Sequence, residues 1–519
     1  MRQPSVIFLT LSLGVTSGCA LVERSPYGQA CDDDSNCGEG YRCLTGYCQP
    51  ERFTDAAVAD RSVADTASAD ASTMDHSSLD GGSSDAAAGD AVSGDDLAIR
   101  DHGQQGQDAP SPDQGGLDAS LADQSVIDLG SIFTEAPSLP NPRPAEGDNF
   151  GSALAFSGDT LVVGMSRMGS STAGDTLIYR LVSGTQWHQQ QALTPGGLPL
   201  AGSSFGYTVA IGGSWLAVGD PTYSNLPGDV HLFEQVSGSW THRGPLSRAT
   251  SSNGDGFGST VAMSADGLYL VVGGPSAPGS FADGGEAIYA GAVWFFKRSG
   301  STWSEVKHQL TPNPGDASNF GSALALSTDG ATCVVGAAGE YVPGASLGGA
   351  IYVFRRSGST WSEPTRLTWS TPVAGDEFGK SLAFVDGAVA VGMPGADGRR
   401  GRVEVYSDTG SALNHVDTIQ AASRVAEDRF GETLAGSGTT LLVGSLTSRD
   451  GASMPLQVFV NRSGGWRPLC ELLPADALTS EGFGEALAIA PDEHWIAAGL
   501  PRRQVGGFAQ AGEVAMYGR

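Results

Sequence analysis

The dipeptide Phe-Gly occurs at Phe150, Phe205, Phe257, Phe320, Phe378, Phe430 and Phe483, at intervals of 52 to 63 residues. Fixed-period recurrence constrains a fold more than any single motif, because each period must be one structural unit. Every unit carries further marks. Val-Gly follows at Gly164, Gly219, Gly273, Gly336, Gly392 and Gly444, with Ala498-Gly499 as the last variant. A third run reads DVHLF from Asp229, AVWFF from Ala292, AIYVF from Ala350, RVEVY from Arg402 and EVAMY from Glu513. A fourth carries Trp187, Trp240, Trp303, Trp361 and Trp466, and the fifth unit lacks this Trp. Four short apolar or alternating runs between turn residues are four strands.

A unit of four strands is one propeller blade, so the expected fold is an all-β, seven-bladed β-propeller over residues 131–519. One blade cannot bury both faces alone, and stability comes from the closed ring. The Phe of each Phe-Gly is therefore assigned to the core between blades, with Gly allowing close backbone approach. Ring closure is also legible. The seventh unit reaches Arg519 just after its third strand, while SIFTEAPSLPNP from Ser131 resembles the unit-three ending STWSEVKHQLTPNP from Ser301. Phe133 and Trp303 each stand 17 residues before the next Phe of a Phe-Gly. Residues 131–140 are expected to supply the outer strand of blade seven, which removes an exposed edge.

Before the propeller the composition changes. Residues 53–130 hold 16 Asp against Arg61 and Arg100, a net charge of −14 out of −28 for the chain. Such a segment cannot bury enough apolar surface to offset its ordering entropy, so a disordered, extended linker is expected. The acidic balance argues against nucleic acid as a partner. Residues 1–18 read as an export signal, with an apolar run from Ile7 to Val15. Thr16-Ser17-Gly18-Cys19 then resembles a bacterial lipobox, which implies lipidation at Cys19 and an outer-membrane anchor; an ordinary secretory signal is the alternative. Residues 19–52 add a small module in which Cys31, Cys37, Cys43 and Cys48 lack metal-knuckle spacing. In an exported chain they read as two disulfides of open connectivity. Cys333 and Cys470 fall on strands and read as small buried apolar residues.

The repeated Phe-Gly, Val-Gly and G-x-(V/I)-x-(V/F)-(F/Y) marks resemble the FG-GAP repeat of integrin α subunits and of many bacterial exported proteins. That resemblance implies a propeller used for adhesion or binding, with calcium loops of the form D-x-D-x-D-G between the first two strands of several blades. Here those loops read SGDT, GGS, SADG, STDG, VDG, GSGT and APDE, so calcium is not carried over and no cofactor or metal is expected.

Two sets of residues are candidates for ligand contact. Asp148, Asp255, Asp376, Asp428 and Glu481 each stand two positions before the Phe of a Phe-Gly. They are expected either to ring one mouth of the channel as a site for cations or basic ligands, or to cap local turns. Phe281, Tyr289 and Tyr341 lie in the longest loops between second and third strands, where variable loops on a rigid scaffold carry binding. Gly344-Ala345-Ser346-Leu347-Gly348 matches a nucleophile-elbow pattern in the wrong context, a Gly-rich loop between strands. The histidines show no metal spacing. The combined expectation is a monomeric, lipid-anchored envelope protein that binds a protein or glycan without catalysis. An exported hydrolase or lyase, or a purely structural envelope component, are the alternatives.

Overall fold

The computed structural model describes residues 20–21, 41–44, 47–50 and 132–519, apart from 168–173, 196–202, 222–226, 282–283, 422–424, 446–452 and 463–464. The export signal, Cys19, Cys31, Cys37 and the acidic segment lie outside the described residues. The module contributes one antiparallel hairpin, Tyr41–Leu44 with Tyr47–Pro50, whose register sets Cys43 opposite Cys48.

Residues 132–519 form the seven-bladed all-β propeller, each blade an antiparallel sheet, with the strands of blades one to five in sequence order from the channel outward. Blade one is typical: Phe150–Ser157, Thr160–Met165, Asp175–Ser183 and Gln186–Leu193. Its second strand is buried along its whole length, as are those of the other blades, because sheets cover both of its faces. In blade four the outer strand splits into Thr360–Trp361 and Thr365–Leu367 around Pro364, which has no N–H for the ladder. Blade six gains a short extra edge, Ala20–Leu21 against Cys470 and Glu471.

Blade seven closes the ring as its sequence suggests. Leu487–Ile489, Trp495–Leu500 and Glu513–Gly518 are completed by Thr134–Pro140, with Val514 opposite Leu139 and Gly518 opposite Thr134. Arg519 lies 4.9 Å above the ring of Phe133 and pairs with Glu493 at 2.9 Å.

The core is distributed over seven apolar clusters, one per blade interface, and each contains one Phe of the Phe-Gly series. The outer-strand aromatic seals the same interface nearer the rim. Trp187, Trp240, Trp303 and Trp361 sit in four of these clusters, Trp466 packs against a fifth, and Phe133 serves in blade seven. Blade five, without the Trp, offers half-buried Leu413 instead.

The two glycine marks share one contact. The Gly of Phe-Gly holds φ near +90°, for example +92° at Gly321 and +88° at Gly379. Its carbonyl oxygen then abuts the Val-Gly glycine of the preceding blade. A Cβ on Gly336 would lie 2.1 Å from the Gly379 oxygen, and one on Gly499 would lie 2.0 Å from the Gly151 oxygen. No side chain fits there, so the repeat needs glycine in both marks. Hydroxyls add a second tie at the same level: Thr208, Thr260, Ser381 and Thr433 donate to Gly258, Gly321, Gly431 and Gly484 oxygens at 2.6 to 2.8 Å.

Cys333 is a buried free thiol, and burial pushes its pKa up. Cys470 corrects the sequence reading: it is disulfide-bonded, and because Cys333 is free its partner is one of Cys19, Cys31, Cys37, Cys43 and Cys48, so lipidation at Cys19 and two disulfides among the four module cysteines do not both hold.

Candidate functional site

Antiparallel strands alternate direction, so the loops between second and third strands share one face of the ring with the loops joining successive blades. The tight hairpins occupy the other face. All candidate residues fall on the first, the loop face.

The five acids do not stand as an open ring of carboxylates. Asp148, Asp255, Asp376, Asp428 and Glu481 are only 0 to 6 % exposed. Each accepts a hydrogen bond from the backbone N–H three residues earlier: Ala145 at 2.7 Å, Ser252 at 3.1 Å, Val373 at 2.7 Å, Val425 at 2.9 Å and Leu478 at 2.9 Å. Turn capping is therefore their common task. Three also hold an arginine. Arg167 meets Asp148 at 2.7 Å, Arg248 meets Asp255 at 2.6 Å and Arg503 meets Glu481 at 3.0 Å. Where Ser203 replaces the acid, a carboxylate reaches in from the end of the second strand, whereas Ser318 donates its hydroxyl to the Gly315 oxygen at 2.9 Å. Asp220 accepts from the Ser203 hydroxyl at 2.7 Å and the Ser204 N–H at 2.6 Å. Buried Glu340 accepts from Tyr352 at 2.6 Å and Asn313 at 2.9 Å. Burial pushes the carboxyl pKa up at Asp220, Asp376 and Asp428.

The aromatic candidates are dispersed. Tyr289 and Tyr341 are 54 % and 60 % exposed, whereas Phe281 is half-buried in a tight turn closed by its own N–H to the Gly285 oxygen at 2.7 Å. No ring contact or hydrogen bond joins these three. Tyr289 has φ +52°, a strained value for a tyrosine. Its cause is structural, since Leu347, Arg399 and Gln510 hold similar angles at the matching places. Their carbonyls accept the N–H of Asn319, Glu377, Arg429 and Asn149 at 2.8 to 3.0 Å, each bond tying one blade to the next.

Ser346 lies in a turn between strands, not in a strand-to-helix elbow. Asp266 and Asp329 brace their own hairpins, each accepting from a serine hydroxyl at 2.6 Å. Among the described residues no group of three or more His, Cys, Asp or Glu is placed to hold a metal ion. No helix of the described residues is long and apolar enough to cross a membrane.

Three features were missed in the sequence. The histidines do recur in position. His242, His308 and His415 on outer strands face His231, Trp294 and Glu404, each two residues before the third-strand aromatic. Fully buried Glu404 is held by His415 at 2.8 Å, Arg402 at 2.6 Å and Thr418 at 2.6 Å. Second, the residue three before each acid is left outside by the turn. It is Ala145 or Ser252 in blades one and three but Val373, Val425 and Leu478 in blades five to seven, 60 to 67 % exposed. Tyr289, Tyr341, Leu347 and Phe508 add further exposed apolar side chains to this face. Aligning the seven units at the acid would have revealed Val373, Val425 and Leu478.

Third, a cavity of 590 Å³ opens on the same side, between blades four and five. Its walls come from three separate loops: Leu347, Thr371 with residues 373–377, and the turn around Asp397 and Gly398, which hold φ +56° and +70°, with Arg399 and Arg402.

No family matches the chain, and no curated protein matches it. Among solved structures it is similar to the crystal structure of RRP9 WD40 repeats, at 13% identity and a TM-score of 0.45, over 74% of this chain and 97% of that one.

Proposed function

We propose that this protein is an exported FG-GAP-type propeller, anchored through lipid at Cys19, that binds a protein partner on its loop face without catalysing a reaction. The acidic segment 53–130 is its spacer from the membrane. One observation supports the reading most: the loop face of blades three to seven carries exposed Tyr289, Tyr341, Leu347, Val373, Val425, Leu478 and Phe508. Covering Val425 and Leu478 would remove apolar surface from water, which favours a docked partner. The turn carboxylates supply rigidity beneath that surface, and the blade-to-blade bonds at Tyr289 and Leu347 hold its loops in register.

The test is capture from a cell-envelope extract by the full chain carrying Tyr341→Asp, Val425→Asp and Leu478→Asp together. A control chain carries Val236→Asp and Leu268→Asp on the hairpin face. The triple variant is expected to lose the captured protein while the control and the unaltered chain retain it, in EDTA as well as in calcium. Equal capture by both variants, or strict calcium dependence, contradicts the proposal.

A further inference from the structure

Seven copies of one turn allow each to be judged against the others. In blades one, three and seven the partners of the turn carboxylate include an arginine beside the backbone N–H: Arg167, Arg248 or Arg503. The guanidinium also reaches a backbone oxygen in two of these, Gly228 at 3.1 Å from Arg248 and Asp476 at 2.9 Å from Arg503. Blades five and six repeat the turn with no arginine of the described residues on Asp376 or Asp428, and of these two carboxylates Asp376 lines the cavity described above. Asp376 accepts from the Val373 N–H, and no cation of the described residues lies within ion-pair distance of it. The side chain is buried to 3 % exposure, yet it lines the 590 Å³ cavity between blades four and five.

The other charges of that cavity are already matched. Asp397 pairs with Arg402 at 3.2 Å, Arg399 with Glu427 at 2.7 Å, and Glu377 with Arg429. An anion would find both arginines engaged. A cation would find one buried carboxylate unmatched, and burial already holds the Asp376 pKa above its ordinary value. At the rim stand Val373, 63 % exposed, and Leu347, 46 % exposed, an apolar approach to a charged floor.

We propose that this cavity receives an arginine side chain of the protein partner, its guanidinium on Asp376 and its methylene stem along Val373 and Leu347. The head repeats what Arg167, Arg248 and Arg503 do within the chain, and the stem covers apolar surface as long basic side chains do. Arginine fits better than lysine because the sister turns use the breadth of the guanidinium to reach a backbone oxygen as well. The inference rests on the loop face being the binding surface and names the chemistry recognised there.

Calorimetric titration of the full chain with Nα-acetyl-arginine amide tests it, with the neutral citrulline counterpart as the control ligand. Saturable binding of the arginine amide is expected, and none of the citrulline compound. Asp376→Asn is expected to weaken binding at least tenfold. Thr371→Trp, at an exposed position on the cavity wall, is expected to abolish it with an unchanged melting temperature, which keeps the test valid if Asp376→Asn perturbs the turn. No saturable binding by the unaltered chain, equal binding of the citrulline compound, or full binding by the folded variants overturns the inference. Partner capture that survives Asp376→Asn but not the loop-face triple variant also overturns it, while leaving the loop-face reading intact.

Discussion

Gly336→Ala is expected to cost about 3 kcal/mol or more of unfolding free energy, against ~1 kcal/mol for Gly300→Ala. The two sites separate two effects of adding one methyl. At Gly300 φ is +60° and a Cβ meets open space, so only the left-handed backbone is penalised. At Gly336 the Cβ would lie 2.1 Å from the Gly379 oxygen and 3.0 Å from the Ala323 methyl. The close atom is backbone, anchored in the next blade by Gly379 N–H to the Gly392 oxygen at 3.1 Å. Relief requires blades four and five to separate, and a closed ring passes that displacement to every other interface. Urea unfolding of both variants measures the difference. Equal costs would mean that the glycine pair is not a packing contact.

Removing residues 131–140 from the otherwise complete chain is expected to have the larger effect. Phe133 is fully buried and Leu139 nearly so, and burial of two such side chains stabilises by about 3–6 kcal/mol. That is a large share of the roughly 5–15 kcal/mol that holds an ordinary domain folded. The deletion also strips the ladder from Glu513–Gly518 and exposes a sheet edge, an invitation to association. The expected outcome is a sharply lowered melting temperature with concentration-dependent aggregation. Phe133→Ala alone should cost about 3–5 kcal/mol, since it opens a cavity in the interface of blades six and seven. An unchanged melt after deletion would show that another segment closes the ring.

The ring and its closure were legible because repetition multiplies weak signals. One Phe-Gly says little, but seven with matching Val-Gly marks specify one contact seven times, and Phe133 could be placed by its offset from Phe150 alone. What the sequence hid was burial. An acid two residues before Phe150 reads equally well as a free carboxylate at a channel mouth or as a turn cap. Only the packed loop shows Asp148 sealed beneath Arg167. Partners distant along the chain were equally hidden. Asp220 replaces the missing acid from 16 residues beyond Ser204, and no local spacing announces it. The cavity at Asp376 depends on three loops meeting, and its significance comes from comparison with sister turns. Tyr289 and Tyr341 were selected as exposed aromatics and are exposed, yet the more systematic signal was Val373, Val425 and Leu478 at a constant offset from the acid.

Hydrogen exchange of the full chain measures ring closure most directly. If Thr134–Pro140 completes blade seven, the amides of Glu513–Gly518 that face it should exchange as slowly as those of Asp229–Val236, a third strand covered by its own outer strand. Exchange at the rate of an open sheet edge in Glu513–Gly518, with Asp229–Val236 protected, would contradict closure of the propeller by Thr134–Pro140.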